Sequence, residues 1–204
     1  LSRTGLWPGL GVTVSGIARE YDETSTTTSG TVAVAVNGVL QSGKTGTIAG
    51  DGTWSIANVT AFPDDTVTVF VDGATDANEA VAIATYNGIG TITGLELTKR
   101  HVTIGGASAA TTTNAGFAGY DFSDDEDLFF TVGVGNLFTL CADTGCSDAI
   151  LTIKAGTQYL PGANATLVTL KNFGTFSPAT NTVRIGGVWN NQGTFNESAS
   201  TVIF

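Results

Sequence analysis

Short runs of alternating apolar and polar residues, each closed by turn-forming residues, fill the first half of the chain. Residues 31–36 alternate most strictly and lead directly into Asn37-Gly38, the strongest short-range signal for a β-hairpin. An alternation of period two predicts strands that bury one face. Further strands are expected at residues 12–17, 53–56, 66–71, 80–84, 90–93 and 101–104.

The last third of the chain repeats itself at an interval of 19 residues. Asn172-Phe-Gly-Thr-Phe176 and Asn191-Gln-Gly-Thr-Phe195 are each followed by the pattern Thr-Val-x-Ile/Phe after the same gap. A looser copy begins at Gly156. One unit of turn, strand, loop and strand cannot bury its apolar face alone, so stacked copies are expected.

Stacked copies are expected to bring equivalent residues of adjacent repeats into contact. Asn172 and Asn191 are expected to form a ladder of side-chain amides, and Gly174 and Gly193 to adopt positive φ at turns. The apolar pairs expected to stack are Phe176 with Phe195, Val183 with Val202, and Ile185 with Phe204.

The fold class expected from these patterns is all-β, because no long segment has a helical period. Additional strands are expected at residues 128–132, 137–140, 150–153, 167–170, 183–185 and 202–204. We predict an N-terminal extension (1–10), an Ig-like β-sandwich (11–104), a linker or loop of small residues (105–119), and a repeat-built β module (120–204). The last part is expected to be a β-solenoid or a second sandwich.

Two parts of the chain resemble known groups of bacterial proteins. The motifs V-x-V-x-G, V-x-V-N-G, D-G-T-W-S-I and V-T-V-x-V in residues 10–104 resemble bacterial Ig-like and carboxypeptidase-regulatory-like modules of secreted and surface proteins. The motif W-x-N-x-G-T-F…S-T-V-x-F, which starts at Trp189, resembles repeats of very large bacterial cell-surface proteins. The second resemblance implies an extracellular, non-enzymatic scaffold.

The charge composition narrows the classes of partner. The net charge is −10, and the eight Lys and Arg residues are scattered, which argues against binding to nucleic acid or to anionic membrane surfaces. No apolar run approaches the ~18 residues of a membrane span. Metal cations and neutral sugars are the more compatible partners.

The two cysteines and the start of the sequence indicate the cellular compartment in which the protein is expected. Cys141 and Cys146 flank a turn-forming Asp-Thr-Gly, which favours a disulfide over a two-ligand zinc site because His101 is the single histidine. A disulfide indicates an oxidising setting, so we expect a secreted or cell-surface protein. The chain starts at Leu1 and has no Met, which indicates a removed N-terminal segment or an excerpt of a longer chain.

Catalytic signatures are weak. His101 precedes a predicted strand, and no G-x-S-x-G motif supplies a nucleophile, so an exposed or strand-edge histidine is expected. No carboxylate pair stands out for glycoside hydrolysis. The prediction is a protein that is not an enzyme.

Acidic residues offer one candidate metal site. The run that contains Asp121, Asp124, Asp125 and Asp127 supplies oxygen ligands suited to Ca²⁺, although it lacks the spacing of an EF-hand. A solvated acidic turn is the competing interpretation. The loop 72–79 carries the same pair of alternatives. No other cofactor is expected.

Several residues are candidates for contact with sugars. Asn58, Asn164 and Asn196 lie in N-x-Ser/Thr sequons, and the Thr-rich segment 24–29 can accept O-glycans; plain polar loops are the alternative. Four aromatic residues can form either a sugar-stacking platform or parts of the core, and the core is favoured for Trp54 and Trp189. They are Trp54, Tyr120, Tyr159 and Trp189, the last of which occupies the place of Leu170 in the preceding repeat.

Both chain ends are apolar. Leu6, Trp7 and Leu10 either fold back on their own domain or lie against a neighbouring copy as an added strand, while Val202, Ile203 and Phe204 form an apolar terminal strand. The sequence thus predicts a structural subunit of an extracellular cell-surface filament or stalk that polymerises with copies of itself. The alternative is a carbohydrate-binding or adhesive module of a larger secreted protein, with surface glycans as partners.

Overall fold

The computed structural model describes residues 11–107, 109–141 and 145–204. Within these ranges the regular structure consists of twenty β-strands, one four-residue α-helix and one 3-10 turn at Asp76–Asn78. The all-β prediction is therefore confirmed. The expected contact residues of the N-terminal extension, Leu6, Trp7 and Leu10, lie outside the described residues.

The first eight strands are β1 (Gly11–Arg19), β2 (Thr31–Val36), β3 (Val39–Thr47), β4 (Thr53–Thr60), β5 (Thr66–Asp72), β6 (Val81–Tyr86), β7 (Ile92–Thr98) and β8 (His101–Ile104). Then come β9 (Ala109–Ala110), helix α1 (Asn114–Phe117), β10 (Phe130–Gly133) and β11 (Leu137–Leu140). The remaining strands are β12 (Ile150–Ile153), β13 (Gln158–Tyr159), β14 (Ala165–Leu167), β15 (Thr169–Asn172), β16 (Thr175–Phe176), β17 (Thr182–Ile185), β18 (Trp189–Asn191), β19 (Thr194–Phe195) and β20 (Thr201–Ile203).

Two sheets face each other in the first half. Strand β1 pairs antiparallel with β4 and parallel with β7, and this sheet packs on the antiparallel strands β3, β2, β5 and β6. The expected hairpin at Asn37-Gly38 is present between β2 and β3, with φ of 47° and 81° at its two residues. These positive values are those of a type I′ turn, which suits Asn-Gly. The Ig-like assignment of this half stays a prediction.

The last fifty-five residues form three stacked coils, called here the coil stack (residues 150–204). Each coil contributes one strand to each of three sheets, and every strand lies parallel to its counterpart in the next coil. The 19-residue repeat sets the register, which pairs Phe176 with Phe195 and Val183 with Val202. Parallel stacking of this kind is expected of a solenoid, in which each coil contacts only its neighbours. The solenoid assignment itself stays a prediction.

One sheet is common to both halves of the molecule. Strands β6, β8, β12, β15 and β18 pair in parallel, so the sheet runs from β3 to β18 without a break. One face packs on β1, β4 and β7 and encloses a first hydrophobic core. The other face packs against the coil stack and encloses a second hydrophobic core. In β2, for example, Val32 and Val34 point to the first core while Ala33 and Ala35 point to the second. Strands between two cores are apolar on both faces.

Residues 105–119, expected as a linker or loop, contain β9 and α1 and pack on this sheet. Thr113 caps the helix by accepting a hydrogen bond from the Gly116 amide at 3.3 Å. Phe117 is fully buried, with its ring 5.4 Å from that of Phe138 and 5.7 Å from that of Tyr159. The segment thus forms a wall of the second core, while the division into domains stays a prediction.

One expected strand is two strands in the structure. The run 167–170 was expected to be continuous, but β14 ends at Leu167 and β15 begins at Thr169. The two strands belong to different sheets, because the chain turns a corner of the coil at Val168. Apolar residues on both sides of a corner look like one strand when only their spacing is considered.

Candidate functional site

An aromatic column runs through the coil stack and ends in a partly exposed ring. Tyr159 and Phe176 are fully buried with ring centroids 5.5 Å apart, and Phe195 follows 5.8 Å beyond Phe176. Phe195 is only partly buried, because β19 is the last strand of its sheet in the described residues. Burial also raises the pKa of Tyr159 above its usual value, so its hydroxyl stays protonated.

The expected amide ladder is present. The Asn172 side-chain Nδ2 donates to Oδ1 of Asn191 at 2.7 Å and to the carbonyl of Thr194 at 3.0 Å. Asn172 is fully buried, whereas Asn191 is exposed. The ladder therefore begins inside the stack and stops at a side chain that faces solvent.

The two repeat glycines have a different role from the one expected. Positive φ was predicted at Gly174 and Gly193, but neither has it. A Cβ at Gly193 would lie 2.1 Å from the carbonyl oxygen of Gly174, and one at Gly174 would lie 2.4 Å from the oxygens of Lys154 and Thr157. Glycine is needed here because adjacent coils approach too closely for any side chain.

Strands β18, β19 and β20 make up the last coil, called here the end coil. Each pairs along one edge with the preceding coil, and within the part of the chain that the structure describes its other edge pairs with no strand. Unpaired N–H and C=O groups on a sheet edge are a template for a further strand. The end coil is therefore the outermost coil of the stack that the structure describes.

Apolar side chains cover the face of the end coil. Trp189 aligns with Leu170 as expected, and its ring lies 4.8 Å from that of Phe195 and 5.8 Å from that of Phe204. The expected assembly residues Val202 and Ile203 are half-buried, while Phe204 is 79% exposed. The expected pair of Ile185 with Phe204 is not part of the strand pairing, because β20 ends at Ile203, which pairs with Arg184.

The other candidate aromatic residues belong to the core. Trp54, Tyr120 and Tyr159 are buried, so the three do not form an exposed platform. The Tyr120 hydroxyl donates to Oδ2 of Asp125 at 2.9 Å, and burial together with this bond raises its pKa.

The four candidate calcium ligands follow α1 in the chain, and each accepts a hydrogen bond. Asp121 is buried, and its carboxylate accepts from the Ser123 amide at 2.8 Å and the Val132 amide at 2.7 Å. Asp124 accepts from the amide of Asp121 at 3.2 Å. These bonds shape the turn.

Of the other two candidate ligands, one accepts a hydrogen bond within the acidic run and the other accepts one from a different loop. Asp125 accepts from the amide of Asp127 at 3.1 Å, and Asp127 accepts from the amide of Gly73 at 2.7 Å, with its pKa raised mainly by burial. Asp127 thus joins this turn to the loop 72–79. Among the described residues, no group of three or more His, Cys, Asp or Glu is gathered so as to hold a metal ion.

Cys141 and Cys146 form the expected disulfide.

Next to the disulfide lies a buried charge cluster that the sequence did not predict. Arg100 is 4% exposed; its guanidinium donates to Asp148 at 2.6 and 2.9 Å and to the carbonyl of Gly145 at 2.5 Å, and lies 3.4 Å from the carboxylate of Glu79. The cluster joins the turn between β7 and β8 to the disulfide loop. Lys99-Arg100 looks like any charged turn in the sequence, so no signal marked it.

His101 is not the exposed or strand-edge residue expected from the sequence. It is 2% exposed, because β8 is an inner strand of the shared sheet between β6 and β12. Its Nδ1 lies 3.0 Å from Oγ1 of Thr152, and burial lowers its pKa to about 4.

All three sequon asparagines are exposed. Asn164 Oδ1 accepts from the Thr182 amide at 2.8 Å, and Asn196 Nδ2 donates to Ser177 Oγ at 2.9 Å, so both amides already bridge adjacent coils. Asn58, on β4, has φ of 56°. Glycosylation at the three sites stays a prediction.

No helix among the described residues is long and apolar enough to cross a membrane. Comparisons with models of protein families, with curated proteins and with solved structures give no match to this chain.

Proposed function

We propose that this protein is a structural, non-enzymatic subunit of an extracellular filament or stalk, in which the end coil of one copy is extended by the next copy. The observation that carries the proposal is the in-register parallel pairing of successive coils, a pattern that strands from a further copy can continue. The resemblance of the repeats to those of bacterial cell-surface proteins points to the same role.

The backbone of the end coil supports extension. Successive coils pair through parallel strands in register, so the outer edge of the end coil presents the same hydrogen-bonding pattern that each inner coil satisfies with its neighbour. A strand added there gains hydrogen bonds without rearrangement of the existing coils. Edge pairing alone is not selective, so selectivity has to come from the side chains.

The side chains of the end coil provide apolar surface for that purpose. Phe195 and Trp189 pack on the second core but remain partly exposed, and Phe204 is largely exposed. Covering an aromatic ring of this kind stabilises a contact by roughly 1.5–3 kcal/mol. A further layer would continue the column that begins at Tyr159.

The segment proposed to provide this layer is the N-terminal extension of a second copy. Leu6, Trp7 and Leu10 are apolar, and Trp7 in particular is costly to leave in water. A contact between the N-terminal segment of one copy and the end coil of another joins two different surfaces. Such heterologous contacts generate open filaments when the rotation between copies does not close a ring.

The proposed extracellular setting is supported by the disulfide and by the amino-acid composition. The disulfide is stable in an oxidising compartment, and low charge with abundant Thr gives a surface of neutral hydroxyls. Both features suit a protein that works outside the cell.

Sedimentation velocity and negative-stain electron microscopy of the full 204-residue chain over a range of concentrations test the proposal. The wild type is expected to form linear particles as its concentration rises. The double variant Ile203→Lys/Phe204→Lys is expected to remain monomeric, because it places two charges on the end coil. Val134→Lys is the matched control, since this valine is fully exposed in the turn between β10 and β11.

Linear particles in the control and their loss in the double variant would support extension at the end coil. A wild type that remains monomeric up to its solubility limit would contradict the proposal. So would linear particles that persist in the double variant.

A further inference from the structure

A cleft of about 550 Å³ opens where the sheet of β1, β4 and β7 ends and the shared sheet continues into the coil stack. Its floor is the outward face of β8 and β12, which carries His101, Thr103 and Thr152. Its walls include Glu96 on β7 and Glu23 in the loop after β1. The cleft exists because the smaller sheet covers only part of the larger one. Its volume lies in the range of small-molecule sites.

The floor of the cleft holds a buried polar atom that lacks a hydrogen-bond partner. His101 is 2% exposed and uses Nδ1 toward Thr152, but its Nε2 makes no hydrogen bond and lies 3.5 Å from Oε1 of Glu23. An unsatisfied buried polar atom costs about 1–3 kcal/mol. A ligand hydroxyl, which both donates and accepts, can satisfy this nitrogen in either tautomer.

The charges that line the cleft are balanced. Glu96 pairs with Lys154 at 2.7 Å, and Glu23 pairs with Lys171. The charged residues of the lining are Arg19 and Lys154 together with Glu23 and Glu96, so the lining itself has no net charge. The carboxylate oxygens still have lone pairs that can accept hydrogen bonds from hydroxyl groups.

An aromatic ring lies at the rim. Phe173 follows β15 directly, lines the cleft and is 36% exposed. Most large apolar side chains of the inner coils are buried, so an accessible phenyl ring at this position is unusual for the stack. It adds apolar surface to a lining that also carries threonine side chains. A polyhydroxylated ring with apolar C–H faces fits this combination.

We propose that this cleft binds a short neutral carbohydrate. The sugar ring packs against Phe173, and its hydroxyls bond to His101 Nε2, to Glu96 and to the threonines of the floor. Both carboxylates are held in ion pairs with lysines, which favours binding over glycoside cleavage. The inference goes beyond the scaffold role and does not depend on assembly at the end coil.

A glycan array of neutral, sialylated and sulfated glycans, probed with the full chain, identifies the bound class. ¹⁵N NMR titration with the matching neutral disaccharide then locates it. We expect preference for a neutral glycan, a dissociation constant on the order of 1 mM, and shifts at Thr103, Thr152 and Phe173. Phe173→Ala and Glu96→Gln are each expected to weaken binding at least about tenfold, which corresponds to ~1.4 kcal/mol. Val134→Ala, remote from the cleft, is the control.

The proposal is overturned if no neutral glycan binds, if charged glycans are preferred, or if neither variant weakens binding. Phe173→Ala removes an exposed side chain, so it tests the site without depending on a core residue. A negative result in this experiment would not contradict the end-coil proposal. A negative result in the assembly experiment would not contradict sugar binding in the cleft.

Discussion

The side-chain amide of Asn172 donates a hydrogen bond to Oδ1 of Asn191, one coil further along the stack, at 2.7 Å. The two residues hold the same place in successive repeats, and their backbones pair in register. The bond shows that the 19-residue interval is the length of one coil. It also fixes the coils against slippage, because a shift by one residue would break the ladder.

Replacement of Asn172 by Ala is expected to destabilise the protein by about 1–3 kcal/mol, since it removes a buried side-chain amide that donates to Asn191 Oδ1 and to the Thr194 carbonyl. Urea unfolding followed by tryptophan fluorescence measures the change. Asn190→Ala is the control; this neighbouring asparagine only accepts a 3.3 Å bond from Gln192 and should cost less than about 0.5 kcal/mol. Equal losses in the two variants would show that the ladder does not stabilise the stack.

Replacement of Arg100 by Met is expected to cost about 3–5 kcal/mol, because the guanidinium that neutralises buried Glu79 is lost. Lys99→Met is the matched control, since the adjacent Lys99 makes only a partly exposed ion pair with Glu20, worth about 1 kcal/mol or less. Urea unfolding again measures both. A loss for Arg100→Met no larger than that of the control would contradict a structural role for the buried cluster.

His101 is expected to make stability depend on pH. Its pKa in the folded protein, about 4, lies below the ordinary value of 6.5, so between these values the unfolded state binds more protons and stability falls as the pH drops. Burial is the main cause; Glu23, Glu96 and Asp148 oppose it, and Lys171 adds to it. The contribution lost on acidification is about 2–4 kcal/mol.

The measurement for this prediction is the unfolding free energy of the wild type and of His101→Gln at pH 7 and at pH 4.5. Other carboxylates titrate in both proteins, so the difference between the two isolates His101. The wild type should lose more stability than the variant over this interval. Parallel pH profiles would show that His101 is not buried as a neutral group.

Local patterns predicted the local structure well. The alternation of residues 31–36, the Asn37-Gly38 turn and the pairing of Phe176 with Phe195 all appear in the structure, because each depends on a periodicity that neighbouring residues define. The disulfide between Cys141 and Cys146 was predictable for the same reason, since a tight turn separates the two cysteines.

Long-range pairing could not be predicted in this way. His101 is buried because β8 pairs with β12, some fifty residues later, and aligns His101 with Ile150. Alternation shows that a strand has two faces but does not identify its partners. The cleft depends on the same pairing, since it lies where one sheet extends beyond the other, and so neither His101 Nε2 nor Phe173 stood out in the sequence.

The most direct test of the central claim is hydrogen–deuterium exchange of the end coil as a function of protein concentration. If a second copy extends the stack, the amides of β18, β19 and β20 will become protected as concentration rises, while those of β12 and β15 remain protected throughout. Ile203→Lys/Phe204→Lys should abolish the concentration dependence. Exchange of the end coil that is the same at every concentration would contradict extension by copies of this chain.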